Sequence, residues 1–299
     1  MTYKNFKDYR ELIDVLKARN LVVKNEVEAI AFLQKVYYYR LSAYFIPFQY
    51  PKDSENKDIF KDNVTFEDIT NLYMFDRDLR NIIFHHLQDL ELVLRAQISH
   101  IHSKQYEAFG YIENTNSLKR ELRTKNNFLF YEFIAQINKE KARANESFIR
   151  HIKEKYKIDD LPIWALVEIT SFGNLSKFFK LMQKNEQLQL LHFFNLADIR
   201  LHVFENWLEC LSYTRNICAH HSRLWNRNFV LKFKTDTNHI HNSFKNDKVS
   251  YALSVIALLT EKEMIKQDLI KLFESYPHID KRAMGFSNNW RSLAPWSNI

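Results

Sequence analysis

The side chains most suited to chemistry lie in one segment, residues 215–227, which reads RNICAHHSRLWNR. On a helix, four of its polar residues would follow one another at steps of four, three and four and would share one face. These residues are Asn216, His220, Arg223 and Arg227. Guanidinium groups bind phosphate oxygens strongly, and an imidazole transfers protons near neutral pH. The spacing therefore predicts a phosphate-binding stripe that contains a proton-transfer group.

Arg215 stands five residues before His220, which on a straight helix means roughly 140° of rotation and 7.5 Å of rise. The two side chains therefore do not converge on a straight helix. Two arrangements stay open. Either the helix bends near His220, or a two-fold dimer brings the same stripe from each subunit into one cleft.

The elements that position this segment are predicted to be helices, because the 299 residues include only 3 Gly and 5 Pro and hairpins need many turn residues. The strongest pattern starts at Thr65 and Asp68, and its apolar residues recur at helical spacing over about 40 residues. They are Ile69, Leu72, Leu79, Ile83, Leu90, Leu94, Ile98 and Ile101. Other helices are expected over 25–45, 128–142, 146–156, 198–221, 249–259 and 260–273. One more helix is expected to start at 161–164 and to be interrupted at 172–174. Asn174 is expected to cap its continuation. The fold class is therefore all-α.

The charge and cysteine content set limits on partners and location. The net charge of +7 favours polyanionic partners such as nucleic acid. Cys210 and Cys218 would be roughly 12 Å apart on one helix, too far for a disulfide. The chain has no run of 18 apolar residues, and residues 1–11 do not resemble a signal peptide. We expect a cytoplasmic protein without a membrane partner.

Histidine pairs raise the question of a metal site. They occur at 85–86, 100 and 102, 220–221, and 239 and 241. None has a third ligand at zinc-like spacing. No metal and no other cofactor is expected.

Several segments together resemble a known family. Arg215-Asn216-x-x-x-His220 resembles the motif of the HEPN (higher eukaryotes and prokaryotes nucleotide-binding) ribonucleases. In chain order, the other segments are YYYRLSAY at 37–44, LYMFDRDLR at 72–80, LPIW at 161–164, SFGNLS at 171–176 and MGF at 284–286. This ordered series resembles the Abi-like family of bacterial abortive-infection proteins, AbiD and AbiF, over most of the chain.

The resemblance implies a HEPN-type helical bundle with additional N-terminal and C-terminal helices, in one domain spanning 1–299. Its N-terminal subregion would be 1–60, its HEPN core 64–232 and its C-terminal helices 248–299. The implied activity is metal-independent RNA cleavage by a toxin of phage defence, with a structured small non-coding RNA as a further partner. Two other functions stay open: an RNA-binding protein that does not cleave, and an effector that senses a phage component through protein contacts.

The resemblance also implies roles for particular residues. Arg215 and His220 match the catalytic pair, and Asn216 matches the polar residue beside the arginine. In that chemistry the RNA 2′-hydroxyl is the nucleophile, the histidine transfers protons and the arginine stabilises the charge on phosphorus. The expected products carry a 2′,3′-cyclic phosphate and a 5′-hydroxyl. We expect a homodimer.

Further basic residues are candidates for RNA contact. The candidates are His221, Arg223, Arg227, Arg120, Arg123 and Lys125. For the last three, an exposed charged loop is an equally good interpretation, and the same alternatives apply to the basic stretch 150–157.

A second Arg-x4-His match, Arg95 to His100, lacks the following Asn and is interpreted as structural. Glu91 and Arg95 are expected to approach the site as supporting groups. Trp225 is expected to be a core anchor. The tyrosines at 37–39 offer rings for base stacking, but the interior of a helix explains them more simply.

Overall fold

The structure is a computed structural model that describes residues 5–51, 55–56, 58–125, 127–157 and 159–297. Within these ranges the chain forms thirteen α-helices, a few short 3-10 segments and isolated β-bridges, so the predicted all-α fold class is confirmed. The helices are α1 (Tyr9–Ala18), α2 (Glu26–Lys35), α3 (Tyr38–Ser42), α4 (Phe66–Tyr106), α5 (Gly110–Glu113), α6 (Leu129–Arg143), α7 (Ser147–Tyr156), α8 (Ile163–Ile169), α9 (Phe172–Leu181), α10 (Lys184–Phe193), α11 (Leu201–Ala219), α12 (Val249–Leu259) and α13 (Lys262–Ser275).

The chain divides into two compact units. The first contains residues 1–80 and 270–279, and the second contains residues 81–269 and 280–299. Of the three boundaries, one falls inside α4, one falls inside α13, and one lies after α13. The single domain with a core at 64–232 stays a prediction.

Helix α4 is the 41-residue element expected from the apolar pattern. Its first turn is closed by a reciprocal pair: the Thr65 amide donates to the Asp68 carboxylate at 2.8 Å, and the Asp68 amide donates to Thr65 Oγ1 at 3.2 Å. All eight apolar residues predicted for its inner face are buried. Burial of this face, rather than intrinsic helix propensity alone, stabilises so long a helix.

The helix predicted over 25–45 is interrupted. Asn25 caps α2 as expected, because its side chain accepts from the amides of Val27 and Glu28. However, α2 ends at Lys35, the backbone is non-helical at Val36, and α3 has only five residues. The prediction that the tyrosines of 37–39 lie in a helix interior is wrong. Tyr37 and Tyr39 are exposed, with nearly parallel rings whose centroids are 6.5 Å apart.

The first unit has a buried polar network built from the segments 37–44 and 72–80. The Tyr44 hydroxyl donates to Asp76 Oδ2 at 2.6 Å, and Arg80 Nη1 pairs with the same oxygen and donates to the Tyr44 hydroxyl at 3.2 Å. Burial, together with the negative charge of Asp76, raises the pKa of Tyr44 well above its ordinary value. Tyr44 therefore remains protonated and acts as a donor, which ties the chain after α3 to the first half of α4.

In the second unit α9 packs closely against α11. The rings of Phe179 and Phe204 meet edge to face at 5.1 Å. A Cβ at Gly173 would lie 3.3 Å from Ser212 Oγ, so the glycine of SFGNLS permits this close approach.

The start of α9 differs from the prediction. Asn174 does not cap the helix, because α9 already begins at Phe172. Instead, Glu140 of α6 accepts from the Ser171 amide at 3.2 Å and from Asn174 Nδ2 at 3.0 Å. A carboxylate from a neighbouring helix therefore accepts hydrogen bonds from donors at the N-terminal end of α9.

Helix α10 was not predicted at all; Gln183 and Glu186 form its capping box.

Candidate active site

Helix α11 carries the polar motif at its C-terminal end and is anchored by an apolar stripe. The predicted residues Phe204, Trp207, Leu208 and Leu211 are all fully buried. The Trp207 indole also donates to the Lys234 carbonyl at 2.8 Å. Arg215 follows Leu208 and Leu211 at steps of seven and four residues, so it continues the same face of α11, and burial of that face fixes its position.

Helix α11 ends at Ala219, earlier than the prediction of 198–221. His220 is the C-cap, and His221 adopts a left-handed conformation with φ of 55°. The amides of His221 and Ser222 donate to the carbonyls of Cys218 and Ile217, both at 3.0 Å. This double hydrogen bond is a Schellman motif, here without the usual glycine.

The early end overturns the predicted stripe. Asn216 lies on the helix and His220 caps it, but Arg223 and Arg227 lie in the irregular chain beyond it. Arg227 folds back onto α11, because its Nη2 donates to the Tyr213 hydroxyl at 3.4 Å and its Nη1 donates to the Arg223 carbonyl at 3.2 Å. Arg223 is half-buried. The helical continuation required for a four-residue stripe does not exist.

Beyond Ala219 the chain is no longer helical, and two apolar residues of this segment pack into the core. Leu224 and Trp225 are both buried, and the Trp225 indole donates to the Asp280 carbonyl at 3.1 Å. Trp225 is therefore the predicted core anchor.

Arg215 is held against α4 by a carboxylate. Its Nε lies 3.7 Å from Glu91 Oε2, its Nη1 donates to Asn216 Oδ1 at 3.3 Å, and its guanidinium carbon lies 5.9 Å from the centre of the Phe84 ring. The side chain is still 32% exposed. The guanidinium is thus oriented from one side and open to a ligand on the other.

Glu91 is buried between two arginines. Its Oε1 accepts from Arg95 Nη2 at 2.6 Å, while its Oε2 faces Arg215. Arg95 Nη1 in turn donates to the carbonyls of Val167 and Glu168 in the last turn of α8. A cation is stabilised by the unpaired carbonyls of a helix C-terminus. The structure therefore brings Glu91 and Arg95 next to Arg215, as a chain of contacts that starts at α8.

His220 lies at the open end of this arrangement. Its side chain and that of Asn216 are exposed. In the described part of the chain no residue forms a hydrogen bond with the His220 imidazole, and none joins it to Arg215. The imidazole is thus available for proton transfer, but one subunit does not by itself bring it into contact with Arg215.

A cavity of about 410 Å³ opens along the same side of α11. Glu205, Glu209 and Ser212 line it, and their spacing continues to Asn216 at steps of four, three and four. Other lining residues include Arg123, Lys177 and Lys180. The residues of α9 and α11 that line this cavity were not predicted from the sequence. Those of α11 could have been found by counting back from Asn216 in steps of three and four residues.

The three predicted basic residues of the 111–127 loop have different environments. Arg123 is exposed, lines this cavity and stacks over the Phe128 ring at 4.4 Å. Arg120 instead stacks over Phe130 and donates to the Ile112 carbonyl at 3.2 Å. Lys125 is exposed and does not line the cavity. Of the three, only Arg123 is brought to the surface beside α11.

The cysteines and the possible metal ligands of the chain bear on other kinds of chemistry. Both cysteines are buried thiols, and burial, with a contribution from the charge of Glu209, raises the pKa of Cys210 to about 12. Cys210 therefore stays a thiol and is unsuited to act as a nucleophile. Among the residues that the structure places, no three His, Cys, Asp or Glu side chains come together as metal ligands would. Nor does any helix in the described ranges have the length and apolar character needed to cross a bilayer.

A family model described as Abi-like protein matches residues 31–226. The chain belongs to the Abi-like protein family. The match includes the Tyr44–Asp76–Arg80 network, α9, and α11 with its terminal motif, whereas the segment at 284–286 lies outside it. Membership connects the chain to abortive infection, a bacterial defence against phage. No curated protein and no solved structure matches the chain.

For the RNA cleavage proposed below, we expect Glu91→Gln to slow the reaction by about 10²-fold, the effect of misplacing a reacting group by about 1 Å. The neutral amide keeps the size of the side chain but no longer holds Arg215 by charge. The matched control is Asp89→Asn, which removes the same charge from an exposed position on α4. Cleavage rates under single-turnover conditions decide the outcome. Equal rates for the two variants would show that Glu91 does not position Arg215.

Proposed function

We propose that this protein is a HEPN-type endoribonuclease toxin that acts in abortive infection. The observation that carries the proposal is the end of α11, where Arg215 is oriented by buried Glu91 and an exposed His220 follows five residues later. These two groups supply charge stabilisation and proton transfer, the two requirements of RNA cleavage by its own 2′-hydroxyl.

The proposed reaction forms one bond to phosphorus and breaks another. The 2′-oxygen attacks the neighbouring phosphorus and loses its proton to an imidazole, while the bond from phosphorus to the 5′-oxygen breaks. The departing 5′-oxygen takes up a proton from an imidazolium. Arg215 stabilises the extra negative charge on the phosphoryl oxygens. Because RNA supplies the nucleophile, the mechanism does not require a metal-bound hydroxide.

A homodimer completes the proposed site. One subunit does not bring His220 into contact with Arg215, and concerted cleavage needs both a base and an acid. Two-fold pairing of α11 ends would place an arginine of one protomer near the histidine of its partner and would supply two imidazoles.

The cavity along α11 provides a path for the RNA on either side of the cleaved bond. Arg123, Lys177 and Lys180 are the cations of its lining, which also includes the carboxylates of Glu132, Glu205 and Glu209. Contacts from these three cations to phosphates would position the backbone without selecting a sequence. His221, Arg223, Arg227, Arg120 and Lys125 remain predicted RNA contacts. A structured small RNA bound to these basic residues is proposed to restrain the toxin.

The ends of the products test this proposal. Purified protein is incubated with cellular RNA in the presence of a chelator, and the fragments are analysed for their termini. We expect 2′,3′-cyclic phosphate and 5′-hydroxyl ends. Fragments with 3′-hydroxyl and 5′-phosphate ends, or cleavage that depends on added magnesium, would contradict the mechanism. Tight binding of RNA without any cleavage would instead favour a non-cleaving RNA-binding protein.

A further inference from the structure

A second cavity, of about 580 Å³, lies between α7, the start of α8 and the residues that follow α4. Its volume falls in the range of about 300–1,000 Å³ that is typical of ligand sites. The aromatic and imidazole rings of Phe109, His151, Tyr156 and Trp164 line it. None of these residues belongs to the proposed cleavage site.

Two of these rings are exposed although they are large and apolar. Trp164 is 53% exposed and Tyr156 is 58% exposed, whereas the other four tryptophans of the chain are at most 5% exposed. Trp164 lies in the first turn of α8, which is fixed by a hydrogen bond from the Ile163 amide to the Ala108 carbonyl at 2.8 Å. The next three residues of α8 are buried, so Trp164 occupies the position of this turn that faces solvent. Two aromatic rings exposed at one cavity form an apolar surface of the kind that binding sites use.

Helix α7 carries a strongly basic segment next to the cavity, although its residues that line the cavity are His151, Ile152 and Tyr156. Residues 150–157 include Arg150, Lys153, Lys155 and Lys157 against the single carboxylate of Glu154. Lys155 Nζ lies 5.2 Å from the centre of the Tyr156 ring, so positive charge and aromatic surface adjoin each other. Charges within about 8–10 Å of a bound anion act on it at physiological salt.

This combination fits one class of ligand better than the others. Unpaired bases stack on aromatic faces while lysines follow the phosphates, and this is how proteins hold single-stranded nucleic acid. Lysine is depleted in the cores of protein interfaces. On α7 itself, Ile149 is buried and Ile152 is half-buried, so these two apolar side chains are already used within the protein.

We propose that this groove is a binding site for single-stranded RNA, in which bases stack on Trp164 and Tyr156 and the lysines of α7 contact the backbone. The site is separate in its residues from the α11 motif and does not need cleavage to operate. It would hold an unpaired stretch of substrate or of a regulatory RNA. Binding weakens as salt rises, because counterions are displaced from the phosphates.

Tryptophan fluorescence tests the proposal directly, because four of the five tryptophans are buried. The probes are oligouridylate of about ten nucleotides and the deoxythymidylate of equal length, which cannot be cleaved through a 2′-hydroxyl. They are titrated into the full chain carrying His220→Ala, and affinity is measured in parallel by the anisotropy of labelled probe. We expect both probes to quench the emission of the protein.

The variants separate stacking from other effects. Trp164→Ala is expected to weaken binding about 5- to 150-fold, the equivalent of one stacked base. Trp164→Phe should keep most of the affinity but lose the quenching, since phenylalanine preserves a ring and removes the fluorophore. Phe193→Ala changes an exposed aromatic residue outside the groove and is the control for Trp164→Ala. Lys184→Glu is the control for Lys155→Glu, which reverses a charge of α7. Both controls should bind like the parent.

Several outcomes would overturn the proposal. Absence of quenching, or equal affinity of Trp164→Ala and its control, would show that no base stacks there. A blue shift with vesicles of phosphatidylcholine and phosphatidylserine, without any response to oligonucleotides, would assign the groove to membranes. Failure of the cleavage proposal is distinguishable, because it would leave the quenching intact in a protein that makes no cyclic-phosphate product.

Discussion

Replacement of His220 by alanine is expected to slow RNA cleavage by about 10²–10⁴-fold, the usual contribution of a general acid or base. The fold should be retained, because the imidazole is exposed at the C-cap of α11 and no described residue forms a hydrogen bond with it. Exposed substitutions of this kind usually change stability by less than about 0.5 kcal/mol. Single-turnover cleavage, thermal unfolding and growth after induced expression measure the three effects.

The second Arg-x4-His match provides the control. His100 is exposed on α4, five residues after Arg95, so His100→Ala makes the same change within the same pattern. We expect wild-type cleavage from this variant. Loss of activity in both variants, or in neither, would show that the pattern around His220 does not define the active site.

Mixing two inactive variants tests whether the site is shared between subunits. A heterodimer of Arg215→Ala and His220→Ala retains one intact arginine and one intact histidine on opposite protomers. If these act together across the interface, the mixture cleaves faster than either variant alone, but it stays slower than the wild type because it retains only one of the two imidazoles. No recovery from a mixture proven to contain heterodimers would place both groups of each site in one subunit.

The sequence predicts the fold most reliably where one pattern runs for many turns. The apolar period of α4 continues over 41 residues with a reciprocal cap at its start, so its existence and its inner face are both correct. The helix predicted over 25–45 is wrong in its second half: α2 ends at Lys35, and the chain that follows α3 is tied to α4 by the hydrogen bond from Tyr44 to Asp76. That contact joins residues 32 positions apart, and no local pattern encodes it.

The residues of the candidate site are predicted from the sequence, whereas their geometry is not. Arg215, Asn216 and His220 stand out by type and spacing, and Glu91 lies beside Arg215 as expected. The end of α11 was not predictable from turn residues, since a histidine rather than a glycine takes the left-handed position after the C-cap. If α11 continued as a helix, Arg223 and Arg227 would share a face with Asn216 and His220. The Schellman turn ends the helix before these two arginines, so this shared face does not form. The Arg95 contacts with the carbonyls of α8 depend on tertiary packing and have no counterpart in the sequence pattern.

The largest loss of stability is expected from Asp76→Asn, which should lower the free energy of unfolding by about 3–5 kcal/mol. Asp76 is fully buried and its Oδ2 binds both Arg80 and the Tyr44 hydroxyl. Removal of its charge leaves the Arg80 guanidinium buried without a compensating anion. The control is Asp78→Asn, two residues away on α4, where the carboxylate is partly exposed and pairs with Arg77. Urea unfolding monitored by circular dichroism compares the two.

A double variant shows whether this loss comes from the uncompensated charge or from the missing hydrogen bonds. Buried ion pairs are often replaceable by apolar side chains at little cost, whereas removal of one partner alone is costly. Asp76→Asn combined with Arg80→Met should therefore be more stable than Asp76→Asn alone, because the second change removes the stranded cation. If the double variant is instead less stable by the sum of the two single losses, the network acts through independent hydrogen bonds. An Asp76→Asn variant as stable as Asp78→Asn would mean that the segments 37–44 and 72–80 do not depend on this charge for their packing.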